Sequence, residues 1–408
     1  MKVARWILGV AGAVVLLAVA AALVAMLLVN PDRYRGEIES AVRAETGRPF
    51  VIQGHLQIAW FPWLGVRTGA ARLGNPPGAV GPDLLDWQSA QLRVRVLPLL
   101  LHHQLEVGRI RIVGADIHLR RRPRGEGSWD DLIARLHTGS GAKGTPATWA
   151  GLDIENGSLD YVDERSLERT SLAGWRLSAG PWRAAEPLAV STSFVLHVDT
   201  LGVHGTAVAE SAGSRAGAFV LPAAGVPVSI DVPRLQIETS AARPLEVIAP
   251  RWSLHVADAK LGGDIDASRD VAGHVTAGGA LTAAVPSLRG LARTLGIGMP
   301  EVEDPAVLGA LQLSGTWSCR DGALAVEPLT AKLDSTTITG RVAYGKAWTF
   351  ALRADQVDFG RYLTHPKAQK PLDLPVSALR ALRAQGTLEL ESARIDGTTL
   401  KDVRLLVQ

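Results

Sequence analysis

Gln91-Leu92-Arg93-Val94-Arg95-Val96 reads as a single strand with one wet side. Successive side chains of an extended chain point to opposite faces, so Leu92, Val94 and Val96 share one face and Gln91, Arg93 and Arg95 the other. Pro98 closes the run. The same period of two recurs on both sides. Upstream lie Phe50-Val51-Ile52, then Leu56 and Ile58, then an aromatic turn from Trp60 to Gly65. Downstream, Leu105 and Val107 have one parity and Ile110 and Ile112 the other. Gly108 between them predicts a bulge or a short turn. Ile117 and Leu119 continue the meander, and strands resume from Gly151 to about Val285. Asn156-Gly157 is a favourable hairpin turn. Val228, Ile230 and Val232 alternate until Pro233 intervenes. Further strands fall at Leu324-Ala325-Val326, Thr336 to Tyr344, Trp348 to Leu352, and Leu388 with Leu390. Val403 to Gln408 reads as a strand lacking its turn and partner.

Helical periods are few and short. Tyr34, Ile38, Ala41 and Val42 recur at helical spacing between Pro31 and Glu45, with Gly47 placed as a C-cap. Ser128 is an N-cap candidate for a helix to Leu136, with Asp130 and Asp131 in its first turn. Leu288 to Leu295 is stopped by Gly296. Asp304-Pro305 is a helix start running through Val307, Leu308 and Leu311, and Pro375 to Leu382 reads as helical.

Ahead of all this, Trp6 to Val29 carries no charged or strongly polar side chain; Leu16, Leu17, Leu23 and Met26 lie within it. As a helix it extends ~36 Å, enough to cross a ~30 Å hydrocarbon core. A cleaved export signal is the alternative, with Ala18-Val19-Ala20 as its small-x-small site, but an export signal's apolar region is usually only about 7–15 residues. Lys2 and Arg5 favour a cytoplasmic N-terminus, with Arg33 and Arg35 weakening the bias, which puts the bulk of the chain outside the cytoplasm. The predicted fold is therefore mainly β: an N-terminal transmembrane helix, then an elongated, curled antiparallel sheet with a few short helices. The predicted divisions are a 1–30 anchor, a 31–138 β region with short helices, a 139–150 linker, a 151–285 central β region and a 286–408 C-terminal region.

The net charge of this 408-residue chain is only +3, and no Lys/Arg run is interleaved with aromatics, so nucleic acid is not an expected partner. Arg120, Arg121, Arg122 and Arg124 read as a solvated strand end, or as a contact for anionic lipid headgroups. Cys319 is the only cysteine, so the fold holds without an internal disulfide. His102-His103 point to opposite faces of a strand and cannot chelate one metal together. Asp160 and Asp163 could hold a cation only with ligands from elsewhere. Gly139-Ser140-Gly141-Ala142-Lys143-Gly144 spells a dinucleotide fingerprint, but a helix precedes it and Thr145-Pro146 follows, so it reads as a linker. No catalytic site, cofactor or metal is expected. Alternation by itself leaves two readings: a sandwich that buries its apolar faces together, or a curled sheet whose apolar face lines a groove for an apolar ligand or partner.

Two stretches echo each other: Gly108 to Ile117 and Gly151 to Asp160, each a strand, a glycine turn and a second strand. Their spacing suits repeated hairpins stacked in one sheet.

Ordered motifs at both ends resemble the AsmA family of bacterial envelope proteins. At the N-terminal end these are the anchor, Thr46-Gly47-Arg48, Ile52-Gln53-Gly54-His55-Leu56, Phe61-Pro62-Trp63-Leu64-Gly65, Asn75-Pro76-Pro77-Gly78, Leu97-Pro98-Leu99-Leu100 and Trp129-Asp130-Asp131-Leu132. At the C-terminal end they are Leu333-Asp334-Ser335-Thr336-Thr337-Ile338-Thr339-Gly340, Asp355 to Leu363, and Leu374-Pro375 through Leu388. Between about Trp175 and Val285 the likeness is one of character only, and the family pattern runs on past Gln408. The resemblance implies a single-pass anchor in the bacterial inner membrane and a body in the periplasm. It further implies a role in outer-membrane biogenesis, binding or passively conducting phospholipid along an apolar β-groove. Leu92, Val94, Val96, Ile110, Ile112, Leu324 and Val326 are the candidate lipid-facing residues, and Trp6, Leu16, Leu17, Leu23, Met26 and Val29 belong to the anchor. The alternative is a non-enzymatic scaffold or regulator of outer-membrane protein assembly, with a filled core and envelope assembly proteins as partners.

Overall fold

The computed structural model describes residues 31–59, 63–76, 81–95, 106–138, 148–182, 186–200, 225–238, 240, 243–297, 299, 302, 304, 306–345, 347–362, 384–395 and 398–407. The anchor, Val96, His102-His103, the glycine-rich stretch from Gly139 to Pro146 and the helix expected at Pro375 to Leu382 lie outside them. Among the described residues no helix is long and apolar enough to cross a membrane. The chain is mainly β and divides into two compact units, Met1–Gly157 and Ser158–Gln408.

The first unit opens with helix α1 (Arg35–Thr46), ended as expected by Gly47 in the left-handed region, whose N–H bonds back to the Arg43 carbonyl. Short strands follow: β1 (Phe50–Ile52), β2 (Leu56–Ala59), β3 (Trp63–Thr68), β4 (Ala71–Leu73), β5 (Leu85–Trp87), β6 (Ser89–Arg95), β7 (Glu106–Val107), β8 (Ile110–Val113) and β9 (Asp116–Arg121). Ile38 and Val42 of α1 pack on Phe50, Ile52, Leu56 and Ala71, the unit's buried core. Beyond β9 come helix α2 (Asp130–Thr138), β10 (Thr148–Trp149) and β11 (Leu152–Asp163). Ser128 does not cap α2. Its hydroxyl accepts the Arg120 N–H instead, while the Asp130 carboxylate takes the Gly127 N–H. Gly108 marks a register change: Val107 opposes Val94, and after one extra residue Ile112 opposes Ala90.

Antiparallel pairing is not universal, contrary to the expectation. β10 runs parallel to β7, and β11 parallel to β8 with Leu152 beside Ile110 and Ile154 beside Ile112. The two stretches that echo each other in sequence are thus neighbours in the sheet. Asn156-Gly157 is not a hairpin turn either. It lies inside β11, where Asn156 alone enters the left-handed region (φ +52°), so the strand kinks and continues.

The second unit is a long meander of β12 (Glu168–Ala179), β13 (Leu188–Thr200), β14 (Val226–Glu238), β15 (Leu245–Val256), β16 (Ala259–Arg269), β17 (Val275–Val285), β18 (Leu311–Arg320), β19 (Ala323–Leu333), β20 (Thr336–Tyr344) and β21 (Trp348–Asp358), each antiparallel to the next. β22 (Ala384–Ile395) then adds in parallel beside β21. The final strand β23 (Thr398–Val407) does have a partner, pairing antiparallel with β22.

Pro233 does not end its strand. β14 runs on to Glu238, and the proline sits where β14 carries one residue more than β13, between Val232 and Leu235. Pro250 in β15 and Pro328 in β19 occupy the same kind of extra position. A bulge leaves one residue out of the ladder, which is where a residue with no N–H to donate fits. Helix α3 (Leu288–Thr294), capped by Ser287, follows β17. The helix expected at Asp304-Pro305 does not form. Leu308 has a positive φ, and the Asp334 carboxylate accepts both the Leu308 N–H (2.8 Å) and the Gly309 N–H (2.9 Å), holding this segment as a turn over the β19–β20 corner.

Candidate functional site

The bulges decide which residues share a face. They keep the two-residue period in step from strand to strand although the sequence parity changes at each proline. Reading across β14 to β23 by register gives one row: Ile230, Leu254, Leu261, Ala283, Leu313, Ala331, Ile338, Ala354, Leu390 and Val403. The next row on that face runs Trp252, Gly263, Leu281, Gly315, Leu329, Gly340, Leu352, Leu388 and Leu405. Trp317, Val326, Val342 and Phe350 form a third, and Cys319, Leu324, Tyr344 and Trp348 a fourth. None of these positions carries a charge. At ~4.8 Å per strand step the first row is about 43 Å long, well beyond the ~15 Å depth of one bilayer leaflet.

Glycines in the second row stand opposite bulky residues: Gly315 against Leu329, and Gly340 between Leu329 and Leu352. Gly340 has φ +141°, and a Cβ there would run into the Ala351 carbonyl oxygen. Glycine in a strand marks a sharp bend or a close backbone approach, and pairing it with a large side chain keeps the face covered.

The face is only half-buried. Leu254, Leu261, Leu281, Leu313, Trp317, Val342, Phe350 and Leu352 are all partly accessible, and between them full burial is reached at Val226 and Val228, at Leu329 and Ala331 of β19, and at Ala354 and Leu390. Cys319 sits half-buried on this face.

Of the candidate lipid-facing residues, Leu324 is exposed and Val326 half-buried, side by side on this face. In the first unit Leu92, Val94, Ile110 and Ile112 share one face of the β6–β8 sheet; Leu92 is exposed and the other three half-buried. The reverse face is ionic. Arg109 binds Asp153 (2.6 Å) and Arg111 binds Glu155 (2.7 Å) around an open hollow of about 520 Å³, and the Glu155 hydrogen bond raises the pKa of Arg111. Asp160 is paired with Arg169 (2.7 Å), and Asp163 accepts the Arg165 N–H (2.8 Å). No cluster of metal-ligating side chains occurs among the described residues. Arg121, Arg122 and Arg124 are solvated at the end of β9.

The motifs that carried the family resemblance lie elsewhere and act as locks. Arg48 is 0% exposed; it pairs with Asp131 and donates to the Ser128 carbonyl (2.5 Å), which joins Thr46-Gly47-Arg48 to Trp129-Asp130-Asp131-Leu132. Burial pushes the Asp131 carboxyl up, but the Arg48 hydrogen bond and charge outweigh it and the net pKa is lowered. In the second unit Asp334 accepts from Tyr362 Oη (2.9 Å). Burial first, and then Asp334, pushes the Tyr362 phenol up to about 12. Asp304 binds Arg361 (2.8 Å), and its carboxyl is lowered by the Ala306 N–H and by Arg361. Thr336 donates to the Gln356 carbonyl, and Asp355 accepts the Thr337 N–H. Sequence reading found these motifs but not their pairing, because the partners lie 18 to 83 residues apart with no shared local pattern.

No curated protein and no solved structure matches the chain. The model of the AsmA family matches residues 1–193. Over those residues, which contain the paired Arg48 and Asp131 motifs, the chain is similar to the AsmA family.

Proposed function

We propose that this protein is a membrane-tethered constituent of the bacterial envelope, with its body in the periplasm, that binds or passively conducts phospholipid along the apolar face of the meander. The observation that carries this reading is the uninterrupted apolar row across β14 to β23, in which Leu254, Leu261, Ala283 and Leu313 are only half-buried. A soluble chain normally leaves no more than a few hundred Å² of contiguous apolar surface open. Each methylene withdrawn from water contributes ~0.8 kcal/mol, so a lipid tail lying on such rows is held without polar contacts. The protein acts by binding and not by catalysis, and it needs no cofactor.

The test is lipid analysis by native mass spectrometry of the detergent-extracted full chain. Phospholipid co-purifies with the native protein, and Leu313→Asp together with Val342→Asp removes it. A photo-crosslinking residue at Val342 provides a second readout that leaves the fold intact: it captures lipid. An unmodified, lipid-free protein with no lipid adduct at Val342 overturns the reading and favours a scaffold with a filled core.

A further inference from the structure

The turns of an antiparallel meander fall on two opposite rims, and in the second unit these rims differ in chemistry. One is closed by the protein itself. Ala259 at the β15–β16 turn, Val285 at the end of β17, Thr336 at the β19–β20 turn and Val307 in the β17–β18 connection are all buried, and Leu295 after α3 packs on Val226 and Val228. The other rim carries the β14–β15, β16–β17, β18–β19 and β20–β21 turns. Apart from Leu167, Ile297, Leu400, Leu405 and Leu406, the large apolar side chains exposed among the described residues of this unit lie along that second rim.

Each of the four turns contributes. Ile237 and Leu245 flank the first and Val271 and Val275 the second, with Val271 73% exposed; Leu324 follows the third. Tyr344 and Trp348 flank the fourth with ring centroids 4.8 Å apart. Arg243, Arg269 and Arg320 lie exposed at the first three turns. Acids share this rim: Glu246 pairs with Arg243 (2.5 Å) and Glu238 is exposed at the first turn, while Asp270 accepts the His274 N–H (2.9 Å), and Asp321 accepts the Val275 N–H (3.0 Å) and contacts His274 Nδ1 (3.1 Å). Aliphatic tips and a Tyr–Trp pair at one level match the boundary between headgroups and acyl chains, where amphipathic aromatics settle. Among the described residues the closed rim has no such set.

We infer that the rim of the β14–β15, β16–β17, β18–β19 and β20–β21 turns is a docking lip for a bilayer surface. Docking stands independently of lipid binding on the apolar face. Only its consequence rests on that reading: Leu324, Tyr344 and Trp348 belong both to the lip and to the fourth apolar row, so a tail leaving the bilayer meets the face without crossing water.

The experiment uses the full chain with Cys319→Ser, reconstituted into vesicles of phosphatidylcholine and phosphatidylglycerol. Val271→Cys or Leu400→Cys carries an environment-sensitive fluorophore; both native side chains are exposed, on opposite rims. Docking gives a blue-shifted emission at position 271, quenched several-fold more by acyl-brominated lipid than at position 400. Tyr344→Ser with Trp348→Ser reduces that quenching. Water-like emission at both positions overturns the proposal, as does equal quenching at both. Energy transfer between probes at position 271 of two copies without lipid quenching also overturns it and assigns the rim to a second copy. Crosslinking at Val342 reports the apolar face separately, so failure of docking and failure of lipid binding are distinguishable.

Discussion

Replacing Asp131 by Ala tests whether the two N-terminal motifs form a lock. Arg48 is fully buried, and its guanidinium has two protein partners, the Asp131 carboxylate and the Ser128 carbonyl; Nη1 has none among the described residues. Removing Asp131 leaves a buried cation with one neutral acceptor. Breaking a fully buried pair from one side costs about 3–5 kcal/mol, but the Asp131 side chain is 41% exposed, so the loss is nearer the ~1.5–3 kcal/mol of a hydrogen bond to a charged group. For a unit of about 150 residues each kcal/mol lowers Tm by about 2–4 °C, so the variant should melt roughly 3–12 °C lower. Arg48→Met removes the charge itself and should cost less, and the double variant should fall well short of the sum. The measurement is thermal unfolding of the full chain with hydrogen exchange resolved at α1 and α2. Because the folded carboxyl is lowered, the pair's contribution is complete above the unfolded Asp value near 3.9 and is lost as pH falls through the folded one. Asp131→Ala should abolish that acid limb. A loss below about 1 kcal/mol, or Arg48→Met costing as much as Asp131→Ala, would show that the guanidinium is not held by this carboxylate.

Two further outcomes follow from the second unit. Gly340→Val forces a β-branched residue into φ +141° against the Ala351 carbonyl, and should cost about 2 kcal/mol or more and loosen β20 and β21 in hydrogen exchange. Tyr362 titrates at about 12 against an ordinary 10, so its contribution is complete below pH 10 and is lost as pH rises between the two; Asp334→Asn should shift its ultraviolet titration downward and flatten that alkaline loss.

How much was legible depended on how far apart the interacting residues lie. The strands of β6 and β20 and the Gly47 stop of α1 could be read because alternation and capping are local signals. Pro233 misled because a proline ends a regular ladder, and only a neighbouring strand shows that the ladder skips a residue there. Asn156-Gly157 misled for the converse reason: its left-handed residue was right, but β8 alongside holds the chain in a strand. The apolar rows were invisible as rows. Each strand showed its own alternation, but the changes of parity at Pro233, Pro250 and Pro328 are reconciled only by register. Leu324 and Val326 were named from one strand; Trp317, Val342 and Phe350 beside them were not.

Register also supplies the sharpest test between a conducting face and a filled core. Ala283 stands in the first apolar row between Leu261 and Leu313, half-buried, with bulkier neighbours on both sides. If the protein's own side chains filled the space above it, Ala283→Leu would overpack that space and cost about 1–3 kcal/mol. If the space is occupied by exchangeable lipid tails, the added methylenes displace lipid instead of protein. Stability measured without lipid should then hold or rise, since the new side chain shelters neighbouring apolar surface, while the lipid retained per chain should fall. The two readings move the melting temperature in opposite directions with one substitution. A destabilised Ala283→Leu that keeps its full complement of lipid would place the lipid somewhere other than this face.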